Sequence, residues 1–234
     1  MRVLLNKLLV GFVLMFSIVN ANGQDVNTLV KNVRAKLETV NDYSAKGRMK
    51  TNVVFLKVPI ATVNIFFKKP NKIKIKNEKG ISFVPKGAVN INLNSILTNT
   101  EFTIIDAGID KINNKSVRIV KLLPDDDNSD VVLSTLYIDE SNLVIVKAKT
   151  TTRENGSYEL DMTYGKFMSY ALPDKIIFSF NAKDYKLPKG VTFDFDDGKP
   201  VNSVESKKAN KKGRAEITIS SYVINKGLDN AVFN

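Results

Sequence analysis

Near the start of the polar part of the chain, Val26, Leu29, Val30, Val33, Leu37 and Val40 recur at helical spacing, with Lys31, Arg34, Lys36 and Glu38 between them. That spacing predicts one amphipathic helix. After Asn41-Asp42 the repeat of apolar positions drops from about 3.6 residues to about 2. Tyr43, Ala45, Gly47, Met49, Thr51, Val53 and Phe55 alternate with Ser44, Lys46, Arg48, Lys50 and Asn52, so a long strand follows the helix.

Val58-Pro59 marks a turn, and Ala61, Val63, Ile65 and Phe67 then alternate up to Lys69-Pro70-Asn71; Ile73 and Ile75 alternate with Lys72, Lys74 and Lys76 in a third strand. Turn signals at Asn77-Glu78-Lys79-Gly80 and Pro85-Lys86-Gly87 flank a short apolar piece at 81–84. Val89, Ile91 and Leu93 alternate with asparagines, and 93–98 fits a helical turn as well. Further strands are predicted at 102–105, 115–122, 131–138, 143–152, 158–167, 175–181, 191–195 and 215–224. Asp139-Glu140-Ser141-Asn142 and Glu154-Asn155-Gly156-Ser157 read as hairpin turns, and the polar, basic stretch 203–214 as an exposed loop. One helix, one or two short ones and about ten or eleven strands in succession imply an antiparallel sheet that must curl or close. No repeat or long linker divides the chain, so 24–234 is expected to be one domain.

The first 23 residues have another character. A basic start (Arg2, Lys7), an apolar stretch at 8–19 and the small-residue exit Val19-Asn20-Ala21-Asn22-Gly23 predict a secretory signal peptide, cleaved after Ala21 or Gly23. The apolar stretch is shorter than the ~20 residues of a spanning helix, so an exported protein is expected. Cleavage removes two cations and no acid, leaving 33 Lys and Arg against 24 Asp and Glu, a net +9. Anionic partners such as lipid head groups fit that charge.

The chain has no Cys, His or Trp. Disulfides, zinc fingers, and Cys or His nucleophiles and bases are excluded. No P-loop, dinucleotide fingerprint or nucleophile elbow occurs. Asp125, Asp126, Asp127 and Asp130, and likewise Asp194, Asp196 and Asp197, are oxygen-rich groups of the kind that hold calcium, but neither has the EF-hand spacing, and Asp-rich turns are common in hairpins. No pair of acids stands out for glycoside hydrolysis. No metal or cofactor is expected, and no enzymatic activity. Lys68, Lys69, Lys72, Lys74 and Lys76 form a basic stripe, which reads as a solvated strand edge, with nucleic-acid binding as the functional alternative. Export and the missing Trp argue against nucleic acid.

Helix 26–40, Tyr43-Ser44-Ala45-Lys46-Gly47, Phe66-Phe67-Lys68-Lys69-Pro70-Asn71-Lys72-Ile73-Lys74, Ala171-Leu172-Pro173-Asp174-Lys175-Ile176 and the ending Tyr222-Val223-Ile224-Asn225-Lys226-Gly227 through Phe233 occur in an order that resembles the LolA/LolB-type lipoprotein carriers. The resemblance extends over most of the exported part. It implies an unclosed antiparallel β-barrel of about eleven strands, with the N-terminal helix and short helices as a lid over an apolar cavity. It also implies a periplasmic carrier that shields acyl chains of lipoproteins or other lipids and passes them between inner- and outer-membrane transfer partners, as a monomer. In that family an Arg before the Pro of the turn helps latch the lid through its backbone; Lys69 occupies that place here. Alternation nominates Met49, Val53, Phe55, Val63, Ile65, Phe67, Ile75, Ile104 and Phe178 as the lining. A sensor or adaptor of the same fold, reading envelope lipids or lipoproteins, is the alternative; a hydrolase using Asp or Glu is a more distant one.

Overall fold

A computed structural model describes residues 25–53, 56–57, 60–70, 72–78, 97, 101–154, 156–181 and 212–233. The expected signal segment, the pieces at 81–84 and 191–195 and most of the loop at 203–214 lie outside these residues. Helix α1 spans Val26–Glu38. The Asp25 carboxylate caps it by accepting from the Thr28 amide at 3.0 Å, and the Thr39 hydroxyl closes its last turn by donating to the Lys36 carbonyl at 2.7 Å. Leu29, Val30, Val33 and Leu37 are its buried face, four of the six positions that the helical spacing selects.

Among the described residues, eleven strands form one antiparallel sheet: β1 (Asp42–Val53), β2 (Leu56–Lys57), β3 (Ala61–Lys68), β4 (Lys72–Asn77), β5 (Phe102–Ile112), β6 (Lys115–Pro124), β7 (Val131–Asp139), β8 (Val144–Thr152), β9 (Ser157–Thr163), β10 (Lys175–Asn181) and β11 (Lys212–Ile224). Their order across the sheet is β4-β3-β1-β11-β10-β9-β8-β7-β6-β5, with the short β2 paired beside β1. The last strand in sequence thus lies against the first, and the sheet is unclosed, ending at β4 on one side and β5 on the other. This is the mainly β, helix-covered architecture that the alternation predicts.

Three boundaries differ from the sequence expectation, each for a local reason. Strand β5 runs on to Ile112 because the chain bulges at Asp106-Ala107-Gly108, where Gly108 has φ +89° and its amide is held by the Asp106 carboxylate at 2.9 Å. Asn113 and Asn114, both with positive φ, then make the tight turn into β6. Strand β9 stops at Thr163 and gives way to a 3-10 turn at Met168–Tyr170. Strand β11 begins at Lys212, so the end of the supposed loop is strand.

Candidate functional site

On the face of the sheet that carries α1, the cross-strand register aligns the apolar positions of every strand. Ile75 lies opposite Ile65, Ile65 opposite Ala45, Met49 opposite Ile217, Ile217 opposite Ile176, Phe178 opposite Leu160, Leu160 opposite Ala148, Ala148 opposite Leu136 and Leu136 opposite Val120. Apolar pairs therefore cross from β4 to β6, the stripe stepping along β1 from Ala45 to Met49 and along β10 from Ile176 to Phe178. Pairs of this kind are what stabilise a sheet face.

The stripe is built in two ways. From β6 to β10 it packs under α1: Leu29, Val30, Val33 and Leu37 share a buried cluster with Val120, Leu122, Leu136, Ile138, Ala148, Leu160 and Phe178, which Leu97 also joins. At the other end, Ala45, Met49, Val63, Ile65, Ile217 and Ile219 form a separate cluster, with Tyr43, Ala61, Ile73, Ile75 and Tyr222 against it. Among the described residues this second cluster consists of strand residues alone. A third, smaller group joins the two ends: Val40, just beyond α1, packs with Phe67 and Leu172.

The nominated lining residues fall across these groups. Met49, Val63, Ile65 and Ile75 belong to the strand-only cluster, Phe67 to the junction, Phe178 to the helix-covered cluster and Ile104 to its margin. Met49, Val63, Phe67 and Phe178 are at most 2% exposed. Val53 keeps the register of Met49 in β1, while Phe55 lies outside the described residues. Sequence reasoning placed Tyr43 and Ala45 on the face of Met49 but missed Ile217, Ile219 and Tyr222 of β11 as members of the same surface. The cause is a bulge: Lys46 pairs with Ser221 but Gly47 with Ile219, so Ser220 is extra and the inward parity of β11 switches. A Cβ on Gly47 would sit 2.7 Å from the Thr218 carbonyl oxygen, so the close approach at the bulge requires glycine.

Polar contacts hold the C-terminal end of α1. The Lys69 ammonium donates to the carbonyl of Glu38, the last residue of the helix. The Lys69 amide donates to the Asn41 carbonyl at 2.9 Å. Asn225, with φ +55°, accepts from the Asn41 amide at 2.7 Å and donates to the Thr39 carbonyl at 2.9 Å. The Lys36 ammonium donates to the Asn142 carbonyl at 2.6 Å; burial lowers its pKa, against the pull of the Asp139 carboxylate. The tail is fastened in turn: the Asp42 carboxylate accepts from the amides of Lys226 and Gly227, each at 3.1 Å, and Lys68 donates to the Leu228 carbonyl at 2.6 Å. Asn225 as a clasp was not foreseen, because only the return of β11 beside β1 brings it to the helix end.

Catalytic chemistry finds little here. Burial raises the pKa of Tyr43, Tyr164 and Tyr222, keeping them neutral phenols. Tyr164 donates to the Ile145 carbonyl and Tyr222 to the Pro173 carbonyl, each at 2.8 Å. The Asp125 carboxylate accepts from the Thr103 hydroxyl, and those of Asp126 and Asp130 accept from the Asn128 and Glu154 amides, as turn residues do. Among the described residues no group of three or more acids is placed to hold a metal ion, and no helix is long and apolar enough to cross a membrane.

No family model matches the chain and no curated protein matches it. Solved structures do. A domain assigned to the outer membrane lipoprotein-sorting proteins, from Vibrio parahaemolyticus, superposes with TM-score 0.55 at 11% identity, over 88% of this chain and 95% of that one. A LolA superfamily protein from Nitrosomonas europaea gives 0.56 at 9% identity, over 91% and 98%. A DUF1329 family protein from Desulfovibrio piger gives 0.54 at 11% identity, also over 91% and 98%. The shared property is the fold: this chain has a LolA-like unclosed barrel.

Proposed function

We propose that this protein is a periplasmic carrier that shields the acyl chains of lipoproteins, or of other lipids, and transfers them towards the outer membrane without covalent chemistry. The observation that carries this reading is the apolar cluster of β1, β3, β4 and β11, strand-only among the described residues and lying on the same face as a helix whose C-terminal end is fastened by hydrogen bonds. The LolA-like fold and the signal-like first 23 residues support the same direction. Met49, Val63, Ile65 and Ile75 of the strand-only cluster are the assigned lining together with Phe67 at the helix end, Phe178, Ile104 and Val53, and Phe55, which lies outside the described residues, is assigned with them. Lys69 is assigned the latch.

Magnitudes favour such an exchange. Hydrogen bonds of the latch type stabilise a closed state by about 0.5–1.5 kcal/mol each, and by up to about 3 with a charged donor. Burying an acyl chain gains about 0.8 kcal/mol per methylene, so some ten methylenes offset the opening of several such bonds. Both states then lie within a few kcal/mol, as reversible loading requires.

The test is uptake of a diacylated lipopeptide by delipidated protein, followed by native mass spectrometry. The wild type is expected to bind one equivalent, with Ile65→Asp abolishing uptake and the better-tolerated Ile65→Ala weakening it. A wild type that stays empty would overturn the reading. Release of a lipoprotein from donor membranes then separates a carrier from a sensor of the same fold.

A further inference from the structure

The charge of the molecule is divided unevenly along the sheet. Residues 42–78, which supply β1 to β4, contain nine Lys and Arg against two Asp and Glu, whereas residues 101–181, which supply β5 to β10, contain nine against thirteen. The numbers of cations are equal; the acids make the difference. On the face turned away from α1, register gathers the cations of the first group into one patch. Lys46 lies opposite Asn64 and Asn64 opposite Lys76; Lys68 lies opposite Lys72; Arg48 and Lys50 continue the row along β1. Lys46, Arg48, Lys50, Lys72 and Lys76 are exposed.

From β8 to β11 several outward cations are paired with acids. Lys147 meets Glu159 at 2.5 Å and Asp161 at 3.1 Å, and Lys149 meets Glu159 at 3.6 Å; in mid-sheet, Lys175 of β10 and Arg214 of β11 share Glu216, at 2.7 and 3.3 Å, and Glu216 lies opposite Lys50 at the border of the basic patch. The hydrogen bond from Lys175 is the chief reason that the Glu216 carboxyl sits below its ordinary range. In the basic patch Lys46 has Glu78 at 2.8 Å, but Lys68 and Lys72 reach neutral oxygens, the Leu228 carbonyl and the Asn230 amide at 3.3 Å, and among the described residues neither is ion-paired.

Lysines on an outermost strand are a common guard against edge-to-edge pairing. That accounts for β4 but not for this patch. Strand β1 lies between β3 and β11, with no edge to protect, and still contributes Lys46, Arg48 and Lys50. The opposite outermost strand, β5, has one lysine, Lys111, beside Asp106 and Asp110. Phe66 supplies an apolar centre, half-buried, with the Lys76 ammonium 5.8 Å from its ring.

We propose that the outward face of β4, β3 and β1 is a docking surface for an anionic lipid bilayer. A three-strand surface with long lysines, only one arginine and an aromatic centre suits mobile phosphate head groups, which need charge at many positions rather than the fixed fork that arginine offers a single site. The acidic opposite end orients the molecule, since a charge asymmetry of this size steers approach to a charged surface. The surface operates whether or not an acyl chain is carried.

Co-sedimentation of the full chain with vesicles tests it. Wild type is expected to bind phosphatidylglycerol-containing vesicles, to ignore pure phosphatidylcholine, and to lose binding as salt rises. Each basic residue near such a surface is worth about fivefold in affinity, so Arg48→Glu, Lys50→Glu and Lys76→Glu together are expected to weaken binding by about a hundredfold or more. Lys111→Glu, Lys115→Glu and Lys121→Glu make the same change in net charge at the acidic end and are expected to leave most of the binding intact. Equal losses in the two triple variants, indifference of the wild type to vesicle charge, or retention on duplex DNA without binding to anionic vesicles would each overturn the proposal. Circular dichroism of the variants separates a lost surface from a lost fold.

Discussion

The two ends of the sheet obey the same alternation and are finished differently. From β6 to β10 the inward side chains meet a helix and the outward charges meet each other. From β4 to β1 by way of β3, continued by Ile217 and Ile219 of β11, the inward cluster is made, among the described residues, of strand side chains alone, and the outward face of β4, β3 and β1 is a patch of cations. Alternation therefore dictates which side chains share a face, but what that face is used for depends on what lies over it. The end under α1 packs a helix on the sheet, an arrangement whose value is stability. The other end sets apolar and basic surfaces on opposite sides of the same strands.

The largest effect expected is on stability at the helix-covered end. Leu136, fully buried beneath α1, should cost about 2–5 kcal/mol when changed to Ala, because truncation leaves a cavity that a tightly packed cluster fills poorly. Ile65→Ala, in the strand-only cluster, is expected at the lower edge of that range. Lipopeptide uptake per folded molecule should show the reverse order, unchanged in Leu136→Ala and weakened in Ile65→Ala. Urea midpoints together with uptake decide it; a Leu136 variant that folds but cannot load would erase the distinction between the two ends.

How much of this could be read from the chain follows from the same contrast. The helix, most strands and the inward set from Met49 to Phe67 were legible because one face is buried over many consecutive strands, which forces strict alternation. The extension of β5 was hidden, since at a bulge the alternation of residues 106–110 no longer reports the face. Ile217 and Ile219 were visible as a strand but not as neighbours of Met49, because that pairing joins residues far apart in sequence. Lys69 was legible as a place in a resemblance, whereas its acceptor, the Glu38 carbonyl, and its companion Asn225 depend on the chain's return beside β1. The lysines of β4 were seen as a stripe, and only the register extended it to Arg48 and Lys50.

A smaller effect is expected at the helix end, where the two regions meet. Lys69→Leu removes the ammonium that binds the Glu38 carbonyl but leaves Asn225 and the apolar contact of Val40 with Phe67. The amides of the last turn of α1 should exchange about tenfold faster, the scale of one charged hydrogen bond at a partly exposed site, while the urea midpoint hardly moves. Lys69→Arg keeps a charged donor and should restore most of the protection. If lipid uptake is limited by opening of this end, the Leu variant loads faster. Unchanged exchange would show that Asn225 and Lys36 hold the helix without help, and the junction would then belong to the helix-covered end of the molecule.

The smallest effect lies at the other end of α1 and depends on pH. The Asp25 carboxyl is held below its ordinary value of 3.8, chiefly by the hydrogen bond from the Thr28 amide and against the slight cost of burial. A depressed carboxyl pKa means that the folded state favours the ionised form. The cap is therefore complete above the unfolded value and is lost as the pH falls through the folded one. Amide exchange at Thr28 should rise as the solution is taken below about pH 4, with the deeper amides of Val33 and Leu37 unaffected, because those residues are fixed by packing rather than by the cap. Asp25→Asn keeps a capping oxygen without a charge, so its protection should be flat over the same range, and Asp25→Ala should lose protection at every pH. Were the Asn variant to show the wild-type pH profile, some other titrating group would be controlling the helix start, and α1 would be tied to the sheet by charge where it is here tied by its apolar face.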